Sequence, residues 1–477
     1  MITFLICLLL LVGAYFLYGA YLDRVCQIDS KAAVPSATLY DGVDYIPMPR
    51  WRTFLIQLLN IAGVGPIFGA IMGACFGPVA FLWITLGGIF IGAMHDYISG
   101  VILLRNDGLS LPEVVGRYLG GGMLQLMRFI SMVLLILVGV VFMRSPASIM
   151  TEMLPAVSYW WWIGIILVYY FVATMLPIDK LIGKVYPLFG AALIFMALGI
   201  LCVLLFGDYT IPNLTLATLR NFHPSAGSMP IIPTLFITIA CGAVSGFHAT
   251  QSPLMARCMN NERESRVVFY GAMISESIIA LIWAAVGMAF FHGPESLAAA
   301  LAEHGNNAAW AVNTIANTTL GRVGAILALL GVVAAPITSG DTAFRSARLI
   351  VADVLHIEQR TIAKRLMVSM PLFAIGTVLL FVDFDIIWRY FAWTNQAMSV
   401  VTLWMIVVYL HERGRNIWVA VPPAIFMTFI CSTFVFISDQ FLGMENRTIA
   451  YAAGCATTLV LTALMWRKIS KTSKTVK

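Results

Sequence analysis

The chain has 477 residues, 60% of them hydrophobic and 11% charged, with a mean hydropathy of +0.89. That balance excludes a soluble globular domain and defines an integral membrane protein made of many apolar helices. The net charge of +6 resides mostly in short loops beside apolar runs, where it orients a protein in the bilayer rather than binding nucleic acid.

Residues 1–21 look like a signal peptide but lack a basic front, so they are read as a retained first helix. Stretches long enough to cross a bilayer follow at Ile2–Tyr21, Phe54–Phe76, Pro78–Leu104, Met123–Phe142, Trp160–Met175, Ile182–Phe206, Ile231–Thr250, Val267–Phe291, Val323–Ile337, Leu366–Val382, Ile386–Leu410, Ile417–Ile437 and Ile449–Trp466, about 13 spans. With the N-terminus outside, 24 of the 29 Lys and Arg residues fall on the inner side. Only Arg144, Arg220, Arg322, Arg389 and Arg447 stay outside, which predicts N-out, C-in. The eight cysteines form no C-x-x-C pair and are read as buried free thiols.

The second span holds Asn60-Ile61-Ala62-Gly63-Val64-Gly65-Pro66. Two glycines and a proline predict a break, and unpaired backbone groups at membrane depth are tolerated only where they face a cavity or an ion. Gly92-Ala93-Met94 recurs as Gly271-Ala272-Met273 at an offset of 179 residues, and the same offset carries Gly63 onto Gly242. There Cys241-Gly242-Ala243-Val244-Ser245-Gly246-Phe247-His248 forms a second glycine-interrupted segment. Five spans in 53–206 then match five in 231–410, inverted because the number is odd. An extra helix and inner loop (1–52) precede the core, an outer linker (207–230) joins the repeats, 293–321 reads as an outer helical lid, and 411–477 adds two helices and a basic tail.

This arrangement resembles the leucine-transporter-type 5+5 inverted-repeat fold, an all-α polytopic architecture with discontinuous helices. The resemblance implies a midplane site between the broken helices and alternating access. The blocks Asp41-Gly42-Val43-Asp44-Tyr45-Ile46-Pro47, Ile61-Ala62-Gly63-Val64-Gly65-Pro66, Gly92-Ala93-Met94-His95-Asp96, Val244-Ser245-Gly246-Phe247-His248 and Asn395-Gln396 resemble the carbon starvation (CstA-type) transporter family. That resemblance implies a bacterial inner-membrane carrier of peptides or pyruvate coupled to a cation gradient. Two departures stand out: Ile56 and Gln57 occupy the place of a histidine pair found in many relatives, and the chain stops soon after Trp466.

A substrate carboxylate needs donors where water is scarce, and half-helix N-termini supply them. The expected substrate site is therefore Asn60, Gly63, Val64 and Gly65 facing Gly242, Ser245, Gly246 and His248, with Gln251, Asn395 and Gln396 along the path. Intramembrane acids are costly, so Asp96 and Glu276, with His95, are expected to carry the coupling proton. Thr338-Ser339-Gly340-Asp341-Thr342 is read as the end of the ninth span. In the fold it resembles, hydroxyls there and carbonyls of the first broken helix form a sodium site, so Thr338 and Ser339 are expected to hold sodium, or Asp341 a proton. The segment 343–350 reads as an inner amphipathic helix on the membrane surface.

No H-E-x-x-H, G-x-S-x-G or P-loop appears, which argues against a membrane enzyme. The expectation is a secondary transporter whose partners are a small substrate and the lipid bilayer, without nucleic acid or an obligate protein partner. No cofactor or metal is expected beyond a coupling proton or sodium ion. The rivals are a channel and a membrane-embedded nutrient sensor.

Overall fold

The computed structural model describes the backbone of residues 1–477 except positions 43, 176, 177, 360, 476 and 477, and side chains except also at 175–185, 322–330, 385 and 471–477. Val43 and the side chains of Lys180, Lys184, Arg322, Arg360, Lys471, Lys474 and Lys477, used in the motif and charge readings, lie outside the described residues.

Every regular element among the described residues is helical, as a chain buried in hydrocarbon requires if its own backbone is to satisfy its donors. The helices of ten or more residues are α1 (Ile2–Cys26), α2 (Arg50–Ile61), α3 (Gly65–Ala74), α4 (Val79–Arg105), α5 (Gly121–Met153), α6 (Tyr159–Met175), α7 (Ile178–Phe206), α8 (Gly246–Ala256) and α9 (Glu262–Phe290). They continue with α10 (Pro294–Glu303), α11 (Ala308–Ala328), α12 (Ala334–Leu355), α13 (Ile362–Leu379), α14 (Phe384–Glu412), α15 (Val421–Ile437) and α16 (Arg447–Thr475).

Among the described residues nine helices are long and apolar enough to cross a bilayer, or ten when α2 and α3, bent by 57° at their break, are counted as one span. The other stretches read as spans behave differently. Trp160–Met175 lies in α6, whose described apolar part, Tyr159–Thr174, is short. Ile231–Thr250 is interrupted between Thr238 and Gly246. Val323–Ile337 straddles α11, a stretch of wider turns at Leu329–Val333, and α12. Helices also occupy 294–303 and 308–328, where a lid is expected, with a non-helical hinge at Gly321 (φ 58°).

Two local expectations fail in α12. The chain does not end a span at 337 or begin a surface helix at 343; α12 runs unbroken from Ala334 to Leu355, with Phe344, Arg345, Ala347 and Arg348 buried. The reason lies at the end of α6, whose last carbonyls lack intrahelical donors and carry partial negative charge. Arg345 Nη2 donates to the Ala173 carbonyl at 2.8 Å and Arg348 Nη1 to the Thr174 carbonyl at 3.2 Å. Both arginines therefore point inward instead of toward lipid headgroups. All eight cysteines are free, but Cys202 and Cys455 are exposed, on the outer faces of α7 and α16, not buried as the apolar runs suggest.

The centre is built where α2, α3 and α8 are enclosed by α4, α9, α12 and α14. Sequence-remote apolar runs meet here, and α2, α3 and α8 are buried on nearly every face around the break.

Candidate functional site: two facing breaks and a buried charge network

Helix α2 stops at Ile61, and Ala62 leaves helical geometry at φ −82°, ψ 53°. The Gly63 amide donates to the Ile61 carbonyl at 3.0 Å, and the chain resumes at Gly65 with Pro66 in the first turn, where its missing N–H leaves no ladder bond broken. The amides of Val64 and Gly65 have no partner among the described residues. Neither glycine has positive φ. Their value is closeness: a Cβ on Gly63 would overlap the Phe142 ring, and one on Gly65 would overlap Cys241.

Cys241 belongs to the second break, so the two interruptions touch. There Ile239 sits at φ −95°, ψ 68° and Ser245 is extended before α8 begins. The break is held by named bonds. Asn395 Oδ1 accepts from the Phe247 amide at 2.7 Å and from Ser245 Oγ at 3.0 Å, capping α8. Gln396 Nε2 donates to the Val244 carbonyl at 3.0 Å, and Trp83 Nε1 to the Ile239 carbonyl at 3.0 Å. Gly246 sits on the Asn395 carbonyl and Gly242 on Ala280, each too close for a side chain. Asn395 and Gln396 thus brace the second break, and the N-terminus of α8 is partly capped, whereas the first break keeps unpaired amides.

Beside the breaks lies a network of fully buried ionisable side chains. His95 Nδ1 is 2.8 Å from Asp96 Oδ1, and His248 Nδ1 is 2.7 Å from Asp96 Oδ2. His248 Nε2 lies 3.2 Å from Glu276 Oε2, close but not aligned as a hydrogen bond. An ionised Asp96 accepts only, so both imidazoles present Nδ1–H to it. For His248 to bond Glu276 as well, a second proton must sit on the ring or on that carboxyl. The four side chains come from α4, α8 and α9, one of them the broken segment itself. Among the described residues no group of three or more His, Cys, Asp and Glu side chains is arranged to hold a metal ion.

The network reaches the first break through amides. Ser252 Oγ donates to the His248 carbonyl at 3.0 Å, and Gln57 Nε2 donates to Ser252 Oγ at 3.4 Å. One turn on, Asn60 is fully buried with neither Oδ1 nor Nδ2 bonded, and Gln57 Oε1, Gln251 Oε1 and His95 Nε2 are likewise unpartnered among the described residues. Buried polar atoms without a protein partner are rare and point to groups able to bond a ligand, an ion or water.

On α12, Ser339 Oγ lies 2.8 Å from the Leu59 carbonyl and 2.9 Å from that of Ala335, so this hydroxyl joins α12 to the last turn of α2. Thr338 Oγ1 donates to the Ala335 carbonyl at 2.8 Å. Asp341 Oδ2 accepts from Tyr186 at 2.9 Å, leaving Oδ1 without a hydrogen bond. Far from ending a helix, these residues face the interior from its first turns. Sequence reasoning did not single out Tyr186 or Gln57 as site residues. An aromatic in an apolar run and an amide in an amphipathic stretch carry no local signal; only the partner across the bundle gives them meaning.

A cavity of about 450 Å³ approaches the breaks from the side of the 207–230 linker, reaching Met72 of α3 and Thr238. It stops short of the charge network, which is sealed.

These features define an all-helical membrane fold with interrupted spans, and its likeness is to solved transporters. A nucleobase-cation-symport-1 family transporter, Mhp1, solved in a closed conformation, matches 89% of this chain and 93% of its own at 14% identity and a TM-score of 0.53. A mutant manganese transporter from Eremococcus coleocola matches 91% of this chain and 99% of its own, at 11% identity and a TM-score of 0.50. The family is given by sequence: the model described as carbon starvation protein CstA matches residues 1–160 and 126–322, and the chain belongs to that family. An uncharacterised membrane protein of Haemophilus influenzae is 41% identical over 345 residues, covering 62% of this chain and 93% of its own. Of the relatives with a named activity, the Escherichia coli pyruvate/proton symporter BtsT is 27% identical over 56% of this chain and 46% of its own. The Escherichia coli peptide transporter CstA is 27% identical over 56% of this chain and 47% of its own. The match thus spans about half the length of these two relatives.

Proposed function

We propose that this chain is a secondary active transporter, not an enzyme, that imports a small carboxylate nutrient, a short peptide or pyruvate, by alternating access. In this reading it sits in the bacterial inner membrane with the N-terminus outside and the C-terminus cytoplasmic, and its helices form two inverted five-helix repeats. The substrate carboxylate binds the free amides at Val64 and Gly65 beside Asn60, with Gln251 completing a polar lining. The observation that carries the proposal is the His95–Asp96–His248–Glu276 network, in which a broken segment is tied to fixed helices by groups that exchange protons. Buried charges are expensive to leave unpaired, so a change in protonation biases how α8 sits against α4 and α9. Proton coupling is favoured over sodium because the buried network holds two imidazoles and two carboxyls, groups that take up and release protons.

Asp96→Asn tests this. The expected result in proteoliposomes is loss of gradient-driven accumulation with substrate exchange retained. Uptake by the variant that keeps the wild-type response to an imposed pH gradient would remove Asp96 from the coupling role.

A further inference from the structure

The cavity of about 450 Å³ on the linker side is lined by His223, Trp388, Arg389 and Asp439, among others. Arg389, at the start of α14, and Asp439, after α15, are the cation and the carboxylate of this lining among the described residues, and both are exposed. Neither makes an ion pair or side-chain hydrogen bond among the described residues.

The other described cations on this side are engaged. Arg220 lies 3.8 Å from Glu295. Arg447 donates to the carbonyls of Gly227, Ser228 and Ile437, and Arg144 to Val382 and Tyr159. His223 Nδ1 accepts from the Ser225 amide at 3.1 Å, and burial pushes its imidazole below the ordinary histidine value, so it adds no positive charge at neutral pH. Opposite charges that share one cavity without neutralising each other are available to a ligand carrying both. The volume falls in the range of small-molecule pockets, roughly 300–1,000 Å³. At about 3.3–3.6 Å per extended residue, the ends of a two- or three-residue peptide are separated by roughly 7–10 Å, a span that exceeds one contact pair.

We propose that this cavity is a first-contact subsite for a zwitterion of the short-peptide kind, Arg389 taking the carboxylate and Asp439 the ammonium. The inference rests on the transporter reading and narrows it: peptides use both charges, a keto acid only Arg389. The site lies on the approach to the breaks, at Met72 and Thr238, so it concentrates substrate ahead of the sealed centre.

The test uses the full chain, with labelled dialanine, N-acetyl-dialanine and pyruvate as probes. Uptake into proteoliposomes gives KM and kcat, and scintillation proximity on detergent-solubilised protein gives binding. Arg389→Gln is expected to raise KM for all three probes by roughly tenfold, equivalent to about 1.4 kcal/mol, with kcat kept. Asp439→Asn is expected to raise KM for dialanine alone. Arg389→Lys and Asp439→Glu should restore much of the loss, separating charge from folding. If Asp439→Asn leaves all three probes unchanged, or weakens all three equally, the zwitterion assignment is overturned. Dialanine binding weakened by Asp439→Asn, with none of the three probes taken up, would support the subsite and sink the transporter reading. Pyruvate uptake with no dialanine binding would do the reverse.

Discussion

Asn60 shows most plainly what a single residue does here. Its side chain is completely buried, and both polar atoms lack a partner among the described residues. Leaving such groups unmade costs about 1–3 kcal/mol each. A residue kept only for packing would be apolar at this position, so Asn60→Leu, with the same number and branching of side-chain heavy atoms but no polar ones, separates the two roles. The expected outcome is a melting temperature unchanged or raised, with uptake lost; normal uptake by the leucine variant would assign Asn60 to the scaffold. The same contrast explains what could be read from the sequence at this scale. Asp96, Glu276 and His248 are conspicuous because ionisable groups in apolar runs are costly. That Asp96 also meets His248, or that Tyr186 meets Asp341, depends on contacts between residues far apart in the chain, which no local pattern encodes.

At the scale of elements, the interruptions at 62–64 and 239–245 were legible from composition, since Gly and Pro weaken a helix wherever they stand. Their physical purpose differs from that reading. None of Gly63, Gly65, Gly242 and Gly246 has positive φ; each lies where a Cβ would strike a neighbour. The glycines let the two breaks and their supports approach closely, and the backbone leaves helical geometry at Ala62 and Ile239 instead. Gly63→Ala should therefore act through Phe142. Overpacking of this kind costs about 1–3 kcal/mol, and contacting residues couple by about 0.5–3 kcal/mol. The expected result is that Gly63→Ala alone lowers thermal stability and uptake, while Gly63→Ala with Phe142→Ala is less damaging than the two losses combined. Strictly additive losses would show that glycine is needed for its backbone freedom. The misreading of α12 has an equally concrete origin. Arg345 and Arg348 give its second half an amphipathic pattern, but the open carbonyls of Ala173 and Thr174 draw them inward, and nothing near them in sequence announces those acceptors.

For the molecule as a whole, helical class and membrane residence follow directly from hydropathy, and the family blocks from residue 41 to 248 fall inside the family match over 1–160 and 126–322. The spans are less tidy than the hydropathy suggests, because three apolar stretches are short, interrupted or merged with a neighbour. Architecture and site together support one central proposal: a solute carrier in which α2–α3 and α8 meet at their breaks and α8 is tied to α4 and α9 by a network able to exchange protons. The most direct measurement is uptake of labelled pyruvate and of di- and tripeptides into proteoliposomes holding the purified full chain, with proton and sodium gradients imposed separately. The account predicts accumulation of at least one of these solutes under a proton gradient and none above background under a sodium gradient alone. Accumulation driven by sodium alone would contradict the role given to the network, and movement of no solute under either gradient would contradict the account itself.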